Sequence, residues 1–307
     1  MNAPKAAAPI PEARFVLVSG VRDEAAFLPR VIESVIRQTI RPVEWVIVDD
    51  ASSDATSAIL AEAAKENPWI RVLRIERTGE RRFGAPNVAL FEQGLAHAET
   101  RDFGFLGNID GDVVLPPRYY EHILARFAQD PRLGTLSGRT HYRLGDRFVS
   151  ERFSGDVSFG GAKFYRRACF EAIGGFEHGP GWDAADCHRC RMLGWKAGSL
   201  DDADLRVEVL RRTGASHKSL FHGRMFWGRS QWFMGSSLAW VLCGSLYRMF
   251  ERPWILGGLS VLLGYVGAAV RREPRIADPA FRRHLRRWQR RRLFGRLLGR
   301  PPEIIAP

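Results

Sequence analysis

Cysteine is scarce in this 307-residue chain, with Cys169, Cys187, Cys190 and Cys243 the only four. Too few and too unevenly placed to staple a chain of this length, they exclude a disulfide-framed scaffold and suit a reducing compartment. Cys187 and Cys190 form a C-x-x-C, but no second pair stands at metal-ligand spacing, so they read as two ordinary thiols on a helix. The first 14 residues hold three prolines and no apolar run of seven, so the core of a secretory signal is missing and the chain is expected to begin in the cytoplasm. Two uncharged stretches, residues 230–247 and 254–270, are 18 and 17 residues long. Both are borderline against the roughly 20 apolar residues that a spanning helix needs. No internal repeat, no Ser-His-Asp set and no reactive cysteine is evident, which leaves no protein nucleophile to propose.

Charge is abundant but unevenly placed. The net charge is +12, and residues 271–300 contribute 12 Arg against only Glu273 and Asp278, so the basicity belongs to the C-terminal region. A local basic block points to a polyanion, either nucleic acid or an anionic membrane surface. No nucleic-acid recognition motif accompanies it, so no nucleic acid is expected and the membrane surface is preferred. Phe281, Leu285 and Trp288 share one helical face with arginines around the rest, the pattern of a helix lying on anionic lipid. Trp and Arg also flank the two uncharged stretches (Trp227, Arg229, Trp232; Arg252, Trp254; Arg271, Arg272), as at a membrane interface.

From 14 to 115, β-branched runs at 15–18, 45–48, 70–75 and 103–109 alternate with helical patterns at 24–38, 55–66 and 86–98. This spacing predicts right-handed crossovers and a mostly parallel sheet flanked by helices, an α/β fold whose ligands bind at the carboxyl ends of the strands. A Gly-rich stretch at 133–207 completes the same domain, and the composition changes after Arg224.

Acidic residues sit where such a fold would use them. Asp110-Gly111-Asp112 follows the fourth run, and two carboxylates joined by glycine can present oxygens to a hard divalent cation or simply form a turn. Asp49 and Asp50 end the second run, where adjacent like charges are costly unless something binds beside them; Ser52, Ser53 and Asp54 make sound helix caps. Asp183 opens a helix expected to run to Leu193 and stop at Gly194, as an N-cap or as a general base. Asp186 and Arg189 have the spacing of an ordinary helix pair.

Taken together these clusters resemble the family-2 inverting glycosyltransferases of GT-A fold. Arg22-Asp23-Glu24 stands where the family has Asn-Glu, and 34–39, the Val-Asp-Asp-x-Ser-x-Asp-x-Thr stretch at 48–56, the Asp-x-Asp, Ile173-Gly174-Gly175-Phe176 and the acidic helix start at Asp183 follow in order. The resemblance implies a Rossmann-like mixed sheet and a domain at 14–224. Before it would lie a disordered N-terminus at 1–13, and after it a helical membrane-associating extension at 225–300 and a tail at 301–307. It implies that Glu24, Asp50, Asn87 and Asp110 contact the nucleotide sugar, with UDP-sugar preferred, and that Asp112 holds Mg2+ or Mn2+. Asp183 would act as base toward a glycan or lipid-linked acceptor. Trp182 stands where the family has a second acid, which makes Asp186 the substitute base, and Pro86 where it often has Arg. His217 and His222 lie where a further metal or phosphate contact can arise, although ordinary histidines are the plainer reading. Residues 252–292 are similar to the C-termini of membrane-associated polysaccharide enzymes, placing the chain at the cytoplasmic membrane face as a peripheral or monotopic protein. The alternatives are a nucleotidyltransferase on a similar sheet, for which residues 18–24 are a poor phosphate loop, or an inactive scaffold.

Overall fold

A computed structural model of the chain describes residues 13–76, 86–145, 147–150, 155–211, 220–250 and 254–295. His217, Arg252, residues 1–12 of the expected N-terminal segment and the tail at 301–307 lie outside the described residues.

The β-branched runs form β1 (Phe15–Val21), β2 (Glu44–Asp50), β3 (Ile70–Ile75) and β4 (Phe105–Asn108), each paired in parallel with its neighbour in the order β4-β1-β2-β3. Strand alternation splits their side chains between two cores. Phe15, Leu17, Trp45 and Ile47 pack on one face, Val16, Val18 and Val46 on the other. Between the strands run α1 (Leu28–Ile36), which buries Leu28, Val31, Ile32 and Val35 at helical spacing, α2 (Thr56–Glu66) and α3 (Pro86–His97).

The second half extends the sheet. It contributes β5 (Val113–Val114), α4 (Tyr119–Gln129), β6 (Leu133–Gly138), β7 (Thr140–Leu144), β8 (Arg147–Ser150), β9 (Phe164–Arg166), α5 (Arg167–Ile173), α6 (Trp182–Met192), β10 (Lys196–Leu200) and β11 (Val207–Val209). The main sheet has seven strands, β10-β6-β9-β4-β1-β2-β3, with β9 antiparallel to both neighbours; β5, β11, β7 and β8 form a second sheet of four. The expected mostly parallel α/β fold is thus present.

Three local expectations change. Residues 24–27 do not begin a helix: Asp23 has a positive φ of 52°, and the segment is tied instead to the loop after β2, where Ser52 Oγ, Thr56 Oγ1 and Asp54 Oδ2 accept the N–H groups of Asp23, Glu24 and Ala25 at 3.1, 2.9 and 3.1 Å. Ser52 and Ser53 therefore cross-link two loops rather than cap α2, whose N-cap is Ala55. The stretch 230–247 is no single helix. It breaks at Gly235, in the left-handed region, into α7 (Leu220–Met234) and α8 (Leu238–Met249), followed by α9 (Ile255–Val270). No described helix is long and apolar enough to cross a membrane. The boundary expected at 224/225 falls inside α7.

The third change concerns α10 (Pro279–Phe294). Its apolar face does not lie free for lipid: Phe281 and Leu285 are buried with Ala185 of α6, Met234 and Ile276, and the Trp288 ring meets His188 of α6 at 4.6 Å and Trp240 at 5.6 Å. Periodicity showed an amphipathic helix, but the surface that covers it is protein, because α6 presents Ala185 and His188 as a matching floor. Arg283, Arg287, Arg290 and Arg291 remain exposed on the outer side. The free apolar surface is elsewhere. Leu238, Leu242 and Leu246 on α8, continuing to Phe250, and Ile255, Leu259, Leu263, Val266 and Val270 on α9 form exposed stripes, one on each helix, with Phe250 79% and Val270 76% exposed.

Candidate active site

Four carboxylates gather beyond the carboxyl ends of the parallel strands. Glu24 follows β1, Asp110 and Asp112 follow β4, and Asp183 comes from the first turn of α6. Asp110 feels all the others. Burial first, then the charge of Asp112, and less strongly those of Glu24 and Asp183, push its carboxyl up from 3.8 to about 7, against the lowering effect of the Asn108 amide that donates to Asp110 Oδ1 at 3.1 Å. Burial likewise raises Glu24, although the Arg211 guanidinium opposes it, and Asp112 adds to the rise.

Glycines allow this crowding. A Cβ on Gly111 would stand 3.0 Å from Val21 and 3.1 Å from Glu24 Cγ, so the Asp-Gly-Asp turn closes on the β1 loop only with glycine. Gly160 and Gly161 separate the two ends of the site. An added Cβ on Gly161 would lie 2.8 Å from Asp110 Oδ2, and one on Gly160 would lie 3.3 Å from Asp183 Cβ. The Asn108 amide also donates to Gly160 O at 2.7 Å, and Asp110 N donates to Gly161 O at 3.0 Å, so β4 holds this spacer directly.

Arg211, just after β11, is the counter-cation that sequence reasoning missed. Its Nε donates to Asp112 Oδ2 at 3.1 Å and its Nη2 to Glu24 Oε1. Nothing in its surroundings in the sequence marks it, because its partners are 99 and 187 residues away. Glu24 Oε2 is buried with no hydrogen-bond partner, so the cluster retains an unused acceptor beside Asp112. Hard oxygen donors of this kind suit Mg2+ or Mn2+. Among the described residues no three ligating side chains are already assembled. The protein would therefore supply Asp112, with Glu24 beside it, and leave the other positions to phosphate oxygens and water, the usual arrangement for Mg2+.

The remaining candidates fall as follows. Asp50 is buried at the end of β2, 3.8 Å from Arg22 Nη1, one strand over from Glu24. Its neighbour Asp49 is structural: Oδ1 accepts from Ser52 N at 3.0 Å and Oδ2 from Ser57 Oγ at 2.5 Å. Asn87 lies exposed in the first turn of α3, and no hydrogen bond or ion pair among the described residues joins it to the carboxylates. His222 is exposed on α7.

Asp183 is not a cap. The N-cap of α6 is Gly181, at φ 76°, and no side chain caps that end. Burial raises the Asp183 carboxyl, the Lys163 ammonium opposes the rise and Asp186 adds to it. Asp186 and Arg189 do not pair with each other. Asp186 is fully buried against Lys163 and Tyr165, which removes it as a substitute base, and Arg189 pairs with Glu177 and with Asp278 at 3.4 Å. Trp182 packs its ring on Phe176 at 4.6 Å instead of supplying an acid. Cys187 and Cys190 are both buried thiols of α6, Cys190 Sγ lying 3.4 Å from Cys169 Sγ.

The raised Asp110 has a consequence for stability. A carboxyl whose folded value lies above its unfolded value binds more protons in the native state, so between pH 3.8 and about 7 its contribution to stability declines as pH rises. Asp110→Asn should therefore gain thermal stability over the metal-free wild type progressively from pH 5 to 7.5. Parallel melting temperatures across that range would refute this.

The pattern of "Glycosyl transferase family 2" matches residues 18–178, more than half of the chain. The O-antigen biosynthesis protein RfbC of Myxococcus xanthus is 34% identical over 122 residues, which are 39% of this chain and 9% of that protein. Among solved structures, the mannosyltransferase PcManGT from Pyrobaculum calidifontis, in complex with GDP-Man and Mn2+, aligns with a TM-score of 0.53 at 17% identity over 87% of this chain and 77% of its own. S. aureus TarS 1-349 in complex with UDP aligns with a TM-score of 0.51 at 13% identity over 84% and 72%. The fold is thus that of the GT-A glycosyltransferases, and with strand-end carboxylates and the family pattern running through them, the chain belongs to glycosyl transferase family 2 and is a glycosyltransferase.

Proposed function

We propose that the chain transfers a sugar from a nucleoside diphosphate sugar, UDP-sugars first among them, to a glycan or lipid-linked acceptor by a metal-dependent, inverting single displacement. The observation that carries this reading is the convergence of Glu24, Asp110 and Asp112 on one side of the Gly160-Gly161 spacer and Asp183 on the other. The first three form the donor end: Asp112 holds the divalent cation, which when bound neutralises the donor diphosphate, and Asp110 and Glu24 face the same charge. At the other end Asp183 removes the proton from the acceptor hydroxyl, and its elevated affinity for a proton suits it to that work. With base and donor on opposite sides of one spacer, attack opposite to the leaving group inverts the anomeric carbon. Solved relatives in complex with GDP-Man, UDP or UDP-GlcNAc support a nucleotide sugar donor, two with Mn2+ support the cation, and the O-antigen relative supports a polysaccharide acceptor. Asp50 at the end of β2 is assigned to the nucleoside, and Asn87 on α3 to the nucleotide sugar.

We also propose that the protein works on the cytoplasmic membrane face, held by the α8–α9 hairpin as a monotopic anchor. Trp254 precedes the α9 stripe and Arg271 and Arg272 follow it, all three exposed. Apolar insertion with a basic rim fits an anionic bilayer.

A panel of nucleotide sugars tested for thermal stabilisation checks the donor site. The cognate donor should raise the melting temperature only with Mn2+ or Mg2+, and Asp112→Ala should abolish the rise, because a diphosphate beside Asp110 and Asp112 cannot be accommodated unscreened. Equal stabilisation in a chelator would sink the metal assignment.

A further inference from the structure

Beside Asp183 lies a buried ion pair that the mechanism above does not use. The side chains of Lys163 and Asp186 are both 0% exposed. Lys163 Nζ donates to Asp186 Oδ1 and Oδ2 at 2.7 and 2.8 Å and to the main-chain oxygen of Asp183 at 2.5 Å; the Tyr165 hydroxyl donates to Asp186 Oδ2. Cys187 Sγ stands 3.6 Å from the same Nζ. Removing two ions from water costs several kcal/mol for each, and an apolar pair of like volume is often as stable or more so, which makes global stability a poor reason for this pair.

Its geometry suggests a different one. The partners of Nζ all belong to the first turns of α6, whose N-terminus has no side-chain cap. The main chain of Lys163 faces the other way: its carbonyl accepts the Asn108 N–H at 2.8 Å, and Asn108 is the residue that holds Asp110 and Gly160. One residue therefore ties the helix that bears Asp183 to the strand that leads into Asp110, and it directly follows the Gly160–Ala162 turn between them.

We propose that Lys163 is a positioning residue for glycosyl transfer, clamping the first turn of α6 so that Asp183 keeps its place across the Gly160-Gly161 spacer from the donor end. The inference rests on the reading of Asp183 as the base. Three charged groups act on Asp183 or share its field: Lys163 from the strand entry, Asp186 on α6 itself and Asp110 from the turn after β4. Lys163 is the only cation of the three, so its removal disturbs both the place and the proton affinity of the base.

The test compares Asp186→Asn, which keeps the Lys163 charge, with Lys163→Met/Asp186→Asn, which leaves no buried unpaired charge. In the double variant kcat should fall about 10²-fold, as for a reacting group displaced by about 1 Å, with the donor KM nearly unchanged. The acid limb of its kcat/KM profile should move to higher pH by about one unit relative to Asp186→Asn. A residue with only a structural role would lower stability or kcat without moving that limb, and an unmoved limb overturns the proposal. Should the double variant fail to fold, Lys163→Arg decides alone: it keeps the charge but changes the reach of the clamp, so kcat must fall with the acid limb and the donor KM near those of the wild type, and an unchanged kcat overturns the proposal. The base reading fails separately, through full activity of Asp183→Asn.

Discussion

Asp183→Asn should leave the fold and donor affinity intact while turnover falls by a factor of about 10² to 10⁴, the usual loss when a general base is removed. Asn keeps the size of Asp and would serve equally well as a cap, so a capping role predicts no loss. Gly181 occupies the N-cap of α6 and Asp183 lies two residues inside it, so Asp183 does not hold the capping position. Asp183 faces the spacer at Gly160, is raised by burial, and shares the field of Asp110 across that spacer. On the proposed reading the donor is held by groups on the far side of the spacer, which is why KM for the donor and turnover should part company in this variant. The measurement is a pair of assays on one preparation, donor affinity by calorimetry and transfer by product formation. Asp186→Asn is the comparison, expected to retain more turnover than Asp183→Asn because the Asp186 carboxylate is fully buried and cannot meet the acceptor.

Placing Glu at both Leu242 and Leu259 should release the protein from anionic vesicles by on the order of 10²-fold or more. Each leucine is exposed, one on α8 and one on α9, so neither change touches the core. Burying a leucine side chain contributes roughly 1.5–3 kcal/mol, and two such losses exceed 10²-fold in affinity before the added cost of a carboxylate near lipid is counted. Sedimentation with vesicles at low and high salt checks this. If the variant still binds and salt alone removes it, the arginines of α10 are the anchor and the hairpin is not.

How much of this was legible in the sequence follows from which interactions are local. The parallel strands were visible because β1 and β2 are buried on both faces and so read as continuous β-branched runs. Asp110, Asp112 and Asp183 were visible because each sits at an element end, where an acid between apolar residues needs a reason. Long-range partners were not visible. Arg211 reaches Glu24 and Asp112 across the whole domain, and the roles of Ser52 and Ser53 were settled by the loop after β1 rather than by their own helix. Lys163 did leave a signal, a lone lysine between Ala162 and Phe164-Tyr165, all of which are buried. A cation inside an apolar run implies a buried anionic partner, although the run itself does not say which acid supplies it. For α10, the 3.6-residue period correctly showed a two-sided helix, but periodicity carries no information on whether lipid or protein covers the apolar side.

The most direct test of the account is the phosphorus product released when wild type and Asp183→Asn are each mixed with the stabilising nucleotide sugar, Mn2+ and an acceptor-bearing membrane fraction. Glycosyl transfer predicts a nucleoside diphosphate in the 31P spectrum, formed by the wild type only when the cation is present and about 10² to 10⁴ times more slowly by the variant. Inorganic pyrophosphate as the product, or a nucleoside diphosphate formed equally fast by both proteins, would contradict it.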